Sequence, residues 1–128
     1  MRFGLDERVI ERIHQVLARH PQVEQAILYG SRAKGTYRPG SDIDLTLLGA
    51  DLTWQDVSRI IHELDDLLLP YAFDISLYKD ITDPDVLDHI RRVGVLFYKR
   101  TVPVNSAPAL SAKGSQGNVE RGESGRDA

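Results

Sequence analysis

The residues that could do chemistry are concentrated in one stretch, YGSRAKGTYRPGSDIDLTLL, residues 29–48. Asp42 and Asp44 stand one residue apart at the head of an apolar run. If that run is a strand, both side chains leave the same face, with Cα atoms about 6.6 Å apart. Two unpaired carboxylates that close repel each other, and burying them is costly. A divalent cation relieves both problems, and Mg²⁺ takes one or two carboxylates together with substrate phosphates. Asp74, inside the later run YAFDISLY, supplies a third carboxylate if its strand neighbours the first. Three carboxylates can hold two metal ions about 3.5–4 Å apart, an arrangement suited to in-line phosphoryl displacement.

A phosphate would need the other half of the stretch. Gly30 lets backbone approach an anion without a side chain in the way. Ser31 can donate its hydroxyl and cap a short helical turn whose amides face that anion. Arg32, Lys34 and Arg38 place positive charge on the same loop. Taken singly these features are weak. An Asp-x-Asp pair is equally explained by turn-forming aspartates at a strand end, Asp74 by an ion pair with an arginine, and Gly30-Ser31 by an ordinary turn. The four histidines show no metal-like grouping and are expected at the surface or against a partner. Trp54 and the Leu-rich helical face are expected in the core.

The elements that must position these groups follow from periodicity. Residues 6–19 repeat Val9, Ile10, Ile13, Val16 and Leu17 at helical spacing, with Asp6 as N-cap and Pro21 as terminator. VEQAILYG is a strand ending at Gly30, and DIDLTLL alternates Ile43, Leu45 and Leu47 against Asp42, Asp44 and Thr46. Thr53 and Asp56 read as an acidic capping box with Leu52 and Val57 as its staple, opening a helix that runs to Pro70. YAFDISLY is a third strand, with Phe73, Ile75 and Leu77 opposite Asp74. Asp83 and Pro84 start a short helix ending near Gly94, and VLFY closes the order α-β-loop-β-α-β-α-β. The expected fold class is α/β (α+β), a small mixed sheet with helices packed on one side, over residues 1–100. Residues 101–128 are rich in Ser, Gly, Asn, Ala and Pro and are expected to be a disordered tail.

Composition narrows the class. With 128 residues, 41% hydrophobic and 27% charged, the chain suits one globular domain. A net charge of −3 gives no footprint for direct nucleic-acid binding. The absence of cysteine excludes disulfides, thiolate metal sites and a Cys nucleophile. No run approaches a membrane span, the N-terminus is too charged for a signal peptide, and a cytoplasmic protein is expected.

In combination the motif is far more specific than its parts. Gly-Ser, ten intervening residues, Asp-x-Asp and a lone strand Asp about thirty residues later resemble the DNA polymerase β-like nucleotidyltransferase superfamily. YGSRAKGTYRPGSDIDL in particular resembles its minimal nucleotidyltransferase (MNT) branch, and the likeness covers approximately residues 5–100. The resemblance implies a nucleotidyltransferase fold in which Asp42 and Asp44 bind Mg²⁺. Asp74 would complete the site and assist deprotonation of the acceptor, while Gly30 and Ser31, with Arg32 and Lys34 beside them, would hold the nucleotide. The implied reaction transfers AMP from ATP and releases pyrophosphate.

Little chain remains beyond the sheet and its helices to bind an acceptor. Minimal proteins of this branch typically pair with a HEPN-domain ribonuclease toxin, act as its antitoxin and adenylylate one of its tyrosines. A hetero-oligomer with such a protein is therefore expected. Two other readings stand beside it: a non-catalytic antitoxin that neutralises by occlusion, and a small-molecule nucleotidyltransferase such as one modifying an aminoglycoside.

Overall fold

Local rules account for where each helix begins. The Asp6 carboxylate accepts a hydrogen bond from the Arg8 amide at 2.8 Å, so α1 (Glu7–Ala18) starts immediately after it. Thr53 and Asp56 form a reciprocal capping box at the head of α3 (Trp54–Asp65). Leu52 and Val57 flank that box, and both are fully buried, as a staple requires. Asp83 caps α4 (Pro84–Val93), whose first position is proline. The computed structural model describes residues 1–101, so the expected tail lies almost entirely outside the described residues.

Between the helices run β1 (Gln25–Tyr29), β2 (Ile43–Leu48), β3 (Phe73–Leu77) and β4 (Val95–Lys99), with the five-residue helix α2 (Gly30–Lys34) directly after β1. The sheet order is β3-β2-β1-β4. β1 pairs antiparallel with β2 and β4, whereas β2 and β3 are parallel, joined by the crossover through α3. The sheet is mixed, as expected from sequence.

Alternation gives the sheet two unlike faces. Ala26 and Leu28, Ile43, Leu45 and Leu47, and Ile75 and Leu77 pack with the apolar stripes of α1 and α3 into one core. Ile27 and Tyr29, Asp44 and Thr46, and Asp74 and Ser76 leave the opposite face. Placement of every helix on one side holds for α1 and α3, but not for α4. Its Ile90 is buried outside that core, and a Cβ on Gly94 would stand 2.9 Å from Cγ2 of Ile27. The end of α4 therefore lies over the face that carries the carboxylates.

Trp54 corrects another expectation. It is 54% exposed rather than in the core. Trp54 occupies the first position of α3, where the Cα–Cβ bond tilts toward the N-terminus and carries the indole past the packed stripe. No helix among the described residues is long and apolar enough to cross a membrane.

Candidate active site

Register places the candidate residues. Asp44 on β2 is the partner of Asp74 on β3 and, on the other side, of Tyr29 at the end of β1. Cross-strand partners share a face, so Asp74, Asp44 and Tyr29 make one row across three strands, away from the core. Asp42 is exposed and sits just ahead of β2. The first condition set by the sequence, that the strand of Asp74 neighbour that of Asp44, is met.

Burial is the main force holding the Asp44 carboxyl above the usual carboxylate range, and the negative charges of Asp74 and Asp42 push it further. His89 of α4 and Arg32 pull the other way. The Tyr29 phenol is raised as well, first by burial, with the Asp74 and Asp44 carboxylates adding to it. Its ring meets the His89 ring edge-on, with centroids 6.3 Å apart. Asp74 is exposed and has no ion-pair partner among the described residues, so the alternative reading of it as an arginine partner finds no support.

Gly30 has a more local reason to be glycine than clearance for a phosphate. Its φ is +74°, and a Cβ there would come within 2.2 Å of Asp44 Oδ2. The backbone thus closes directly onto one carboxylate oxygen. Ser31 does not cap the helical turn, which begins one residue earlier: the N-cap is Tyr29, and no side chain caps it. Instead the Ser31 carbonyl accepts from the amides of Gly35 and Thr36 and ends the turn.

Arg32 is placed differently from a free phosphate ligand. It is 2% exposed, and its guanidinium donates to three backbone carbonyls: Phe3 at 2.9 Å, Pro39 at 3.3 Å, and Ser41 at 2.8 and 3.1 Å. The rings of Tyr71 and Tyr37 lie 5.0 and 5.5 Å from it. Arg32 ties the N-terminal segment to the loop that delivers Asp42, so its contribution is positional. Lys34, by contrast, is exposed at the end of α2, with no ion pair or side-chain hydrogen bond among the described residues. Arg38 is exposed too, and its amide donates to the Ser41 hydroxyl at 2.8 Å.

The donor set suits a hard cation completed by substrate rather than a finished metal cage. Among the described residues no three acidic or imidazole groups converge closely enough to hold an ion by themselves. Asp44 and Asp74 are nevertheless adjacent, all-oxygen and mutually repelling, and Gly30 leaves space where a Cβ would block Asp44 Oδ2. Mg²⁺ accepts such an open set, because phosphates and water fill its remaining positions.

Tyr29 and His89 belong to this site and were not singled out in the sequence. The phase of β1 could have flagged Tyr29, since it immediately precedes Gly30. Nothing in the sequence links His89 to the aspartates. Behind the carboxylates lies a second row, Thr46 opposite Ser76; the Thr46 hydroxyl is buried without a hydrogen-bond partner, and Ser76 neighbours the Tyr29 phenol and works against its raised pKa.

Fold and site together define a nucleotidyltransferase. The family model described as "Polymerase beta, Nucleotidyltransferase" matches residues 11–102, and the chain belongs to that family. A comparison with curated protein sequences gave no significant match. Among solved structures, a toxin–antitoxin complex with AMP-PNP matches at 22% identity and a TM-score of 0.57, covering 74% of each chain. The tri-AMPylated Shewanella oneidensis HEPN toxin in complex with MNT antitoxin matches at 18% identity and a TM-score of 0.56, covering 74% of this chain and 73% of the other. The MntA–HepT toxin–antitoxin complex matches at 18% identity and a TM-score of 0.55, covering 73% of each. At these identities the likeness is one of fold.

Proposed function

We propose that this chain transfers AMP from ATP to a tyrosine hydroxyl of a partner HEPN-domain toxin and thereby acts as its antitoxin. The observation that carries the reading is the register pair Asp44–Asp74, with the Gly30 backbone closed onto Asp44. Structural neighbours described as toxin–antitoxin complexes, one holding AMP-PNP and one a tri-AMPylated HEPN toxin, support the choice of donor and acceptor.

In this mechanism Gly30 and the Ser31 hydroxyl hold the phosphates, and exposed Lys34 adds charge at their outer end. Asp42, Asp44 and Asp74 would hold Mg²⁺, which when bound neutralises charge developing on the phosphates. Arg32 holds the Ser41 carbonyl and so fixes the approach of Asp42 to the site. Asp74, the exposed member of the row, accepts the proton of the acceptor hydroxyl. The acceptor oxygen forms its bond to the α-phosphorus as the bond to the bridging oxygen breaks, and pyrophosphate leaves. All three carboxylates must be ionised for this work, and burial, with the charges of Asp74 and Asp42 beside it, opposes ionisation of Asp44.

A cytoplasmic setting follows from the ATP donor and the intracellular toxin. The test is incubation of the purified chain with labelled ATP, Mg²⁺ and the product of any HEPN-domain gene found beside its own. Label is expected on a tyrosine of that protein. Tight binding without label would favour a non-catalytic antitoxin, and label on an added aminoglycoside but not on the protein would favour the small-molecule reading.

A further inference from the structure

The carboxylate face of the sheet continues past the catalytic row into a cleft of about 430 Å³ between α4 and the far ends of β1, β2 and β4. Its apolar lining includes Ile27, Leu48, Ile90 and Leu96, and its cationic side chains are Arg91 and Lys99. Ile27 lies two residues before Tyr29 on β1, and Leu48 four residues after Asp44 on β2. Even spacing along a strand keeps both on the face of the site, with Leu48 about 13 Å from Asp44. Leu96 is 55% exposed, which is unusual for a leucine in a strand beside a cleft.

The chain carries a net charge of −3, yet among the described residues the cleft is lined by two cations and no carboxylate. Lys99 has no ion-pair partner among the described residues. Arg91 reaches only Asp88, at 3.9 Å and with both side chains exposed, a pairing worth little in water. An apolar floor with an unneutralised basic rim complements an amphipathic segment that carries acidic side chains.

We propose that this cleft docks the acceptor protein through such a segment, apolar and acidic, and so presents its hydroxyl to Asp74. The proposal rests on the adenylyltransferase reading and deepens it. Continuity of the face sets the scale of the reach: Leu48 at the cleft is about 13 Å from Asp44, or roughly four extended residues.

The experiment titrates the full chain with that HEPN-domain gene product, and in parallel with AMP-PNP and Mg²⁺. Arg91→Glu with Lys99→Glu, and separately Leu96→Asp, are each expected to weaken partner binding at least about tenfold. AMP-PNP binding is expected to stay unchanged, which also certifies the fold of these surface variants. Asp44→Asn should bind the partner normally while losing transfer, so loss of docking and loss of chemistry are separable. Undiminished partner affinity in both cleft variants overturns the proposal and leaves the adenylyltransferase reading intact. Failure of the unsubstituted chain to bind overturns both. A self-dimer in sedimentation that the charge reversals abolish would assign the cleft to a second copy, and that too overturns the proposal.

Discussion

Asp44 and Asp74 are register partners on adjacent parallel strands, and among the described residues neither forms an ion pair with a cation. Burial of Asp44, with the charges of Asp74 and Asp42 added to it, sets ionisation of that carboxyl against the fold. Such an arrangement is kept for what it binds rather than for what it contributes to folding.

That cost should be measurable as a function of pH. A carboxyl whose pKa is higher in the folded than in the unfolded state destabilises the fold while ionised. The penalty is present above the folded pKa and disappears as pH falls through it toward the unfolded value. Asp44→Asn is therefore expected to melt higher than the unsubstituted protein at about pH 8 without Mg²⁺, with the difference closing toward about pH 4. Transfer should be lost in the same variant. Thermal melts across pH would check this, and an Asp44→Asn variant less stable than the parent at neutral pH would contradict it.

Gly30→Ala should couple to Asp44. The substitution places an L-residue at φ +74° and drives a methyl group into Asp44 Oδ2. The backbone part alone costs about 1–2 kcal/mol. Removing the obstacle with Asp44→Ala should relieve the steric part, so the double variant is expected to lose less stability than the sum of the single ones. Urea titrations of the four proteins give the coupling directly.

Arg32 and Lys34 should separate cleanly. Arg32→Met strands carbonyl groups of Phe3, Pro39 and Ser41, each worth about 1–3 kcal/mol where water cannot reach it. A large drop in the urea midpoint is expected. Lys34→Met should leave stability within about 0.5 kcal/mol and weaken ATP binding alone. Equal stability of the two variants would overturn the positional role of Arg32.

These two basic residues also show what was legible in the sequence. Both stand in the same loop, and sequence alone gives them the same reading, as charge for a triphosphate. What separates them is long-range: Tyr71 lies far along the chain from Arg32, and Phe3 precedes it by an entire helix and strand. No local pattern encodes that convergence. Period-two alternation, in contrast, placed Asp44 and Asp74 on the polar faces of their strands correctly, and capping chemistry placed α1, α3 and α4. Strand order was not readable in the same way, and neither was the side of the sheet that α4 would take. Val86, Leu87, Ile90 and Val93 mark an apolar face, but periodicity does not say which side of the sheet that face meets, and of the four only Ile90 is buried. His89 was missed for that reason.

In the proposed mechanism the chemistry turns on Asp74. It is exposed, unpaired among the described residues, and in line with Asp44, while Ile75 and Leu77 face the core. Asp74→Ala removes no ion pair, so the fold should not suffer, and relief from Asp44 should leave the melting temperature equal or higher. AMP-PNP binding should persist, because Gly30, Ser31, Asp42 and Asp44 are untouched. Transfer to the partner should fall by at least ~10², the lower range for loss of acid–base assistance. Part of the loss should return on raising pH, since an acceptor phenol already ionised needs no base. Melting temperature, nucleotide affinity and transfer rate, measured on one preparation, settle the assignment. Normal transfer by Asp74→Ala would remove it from the catalytic row and leave Asp42 and Asp44 to act alone.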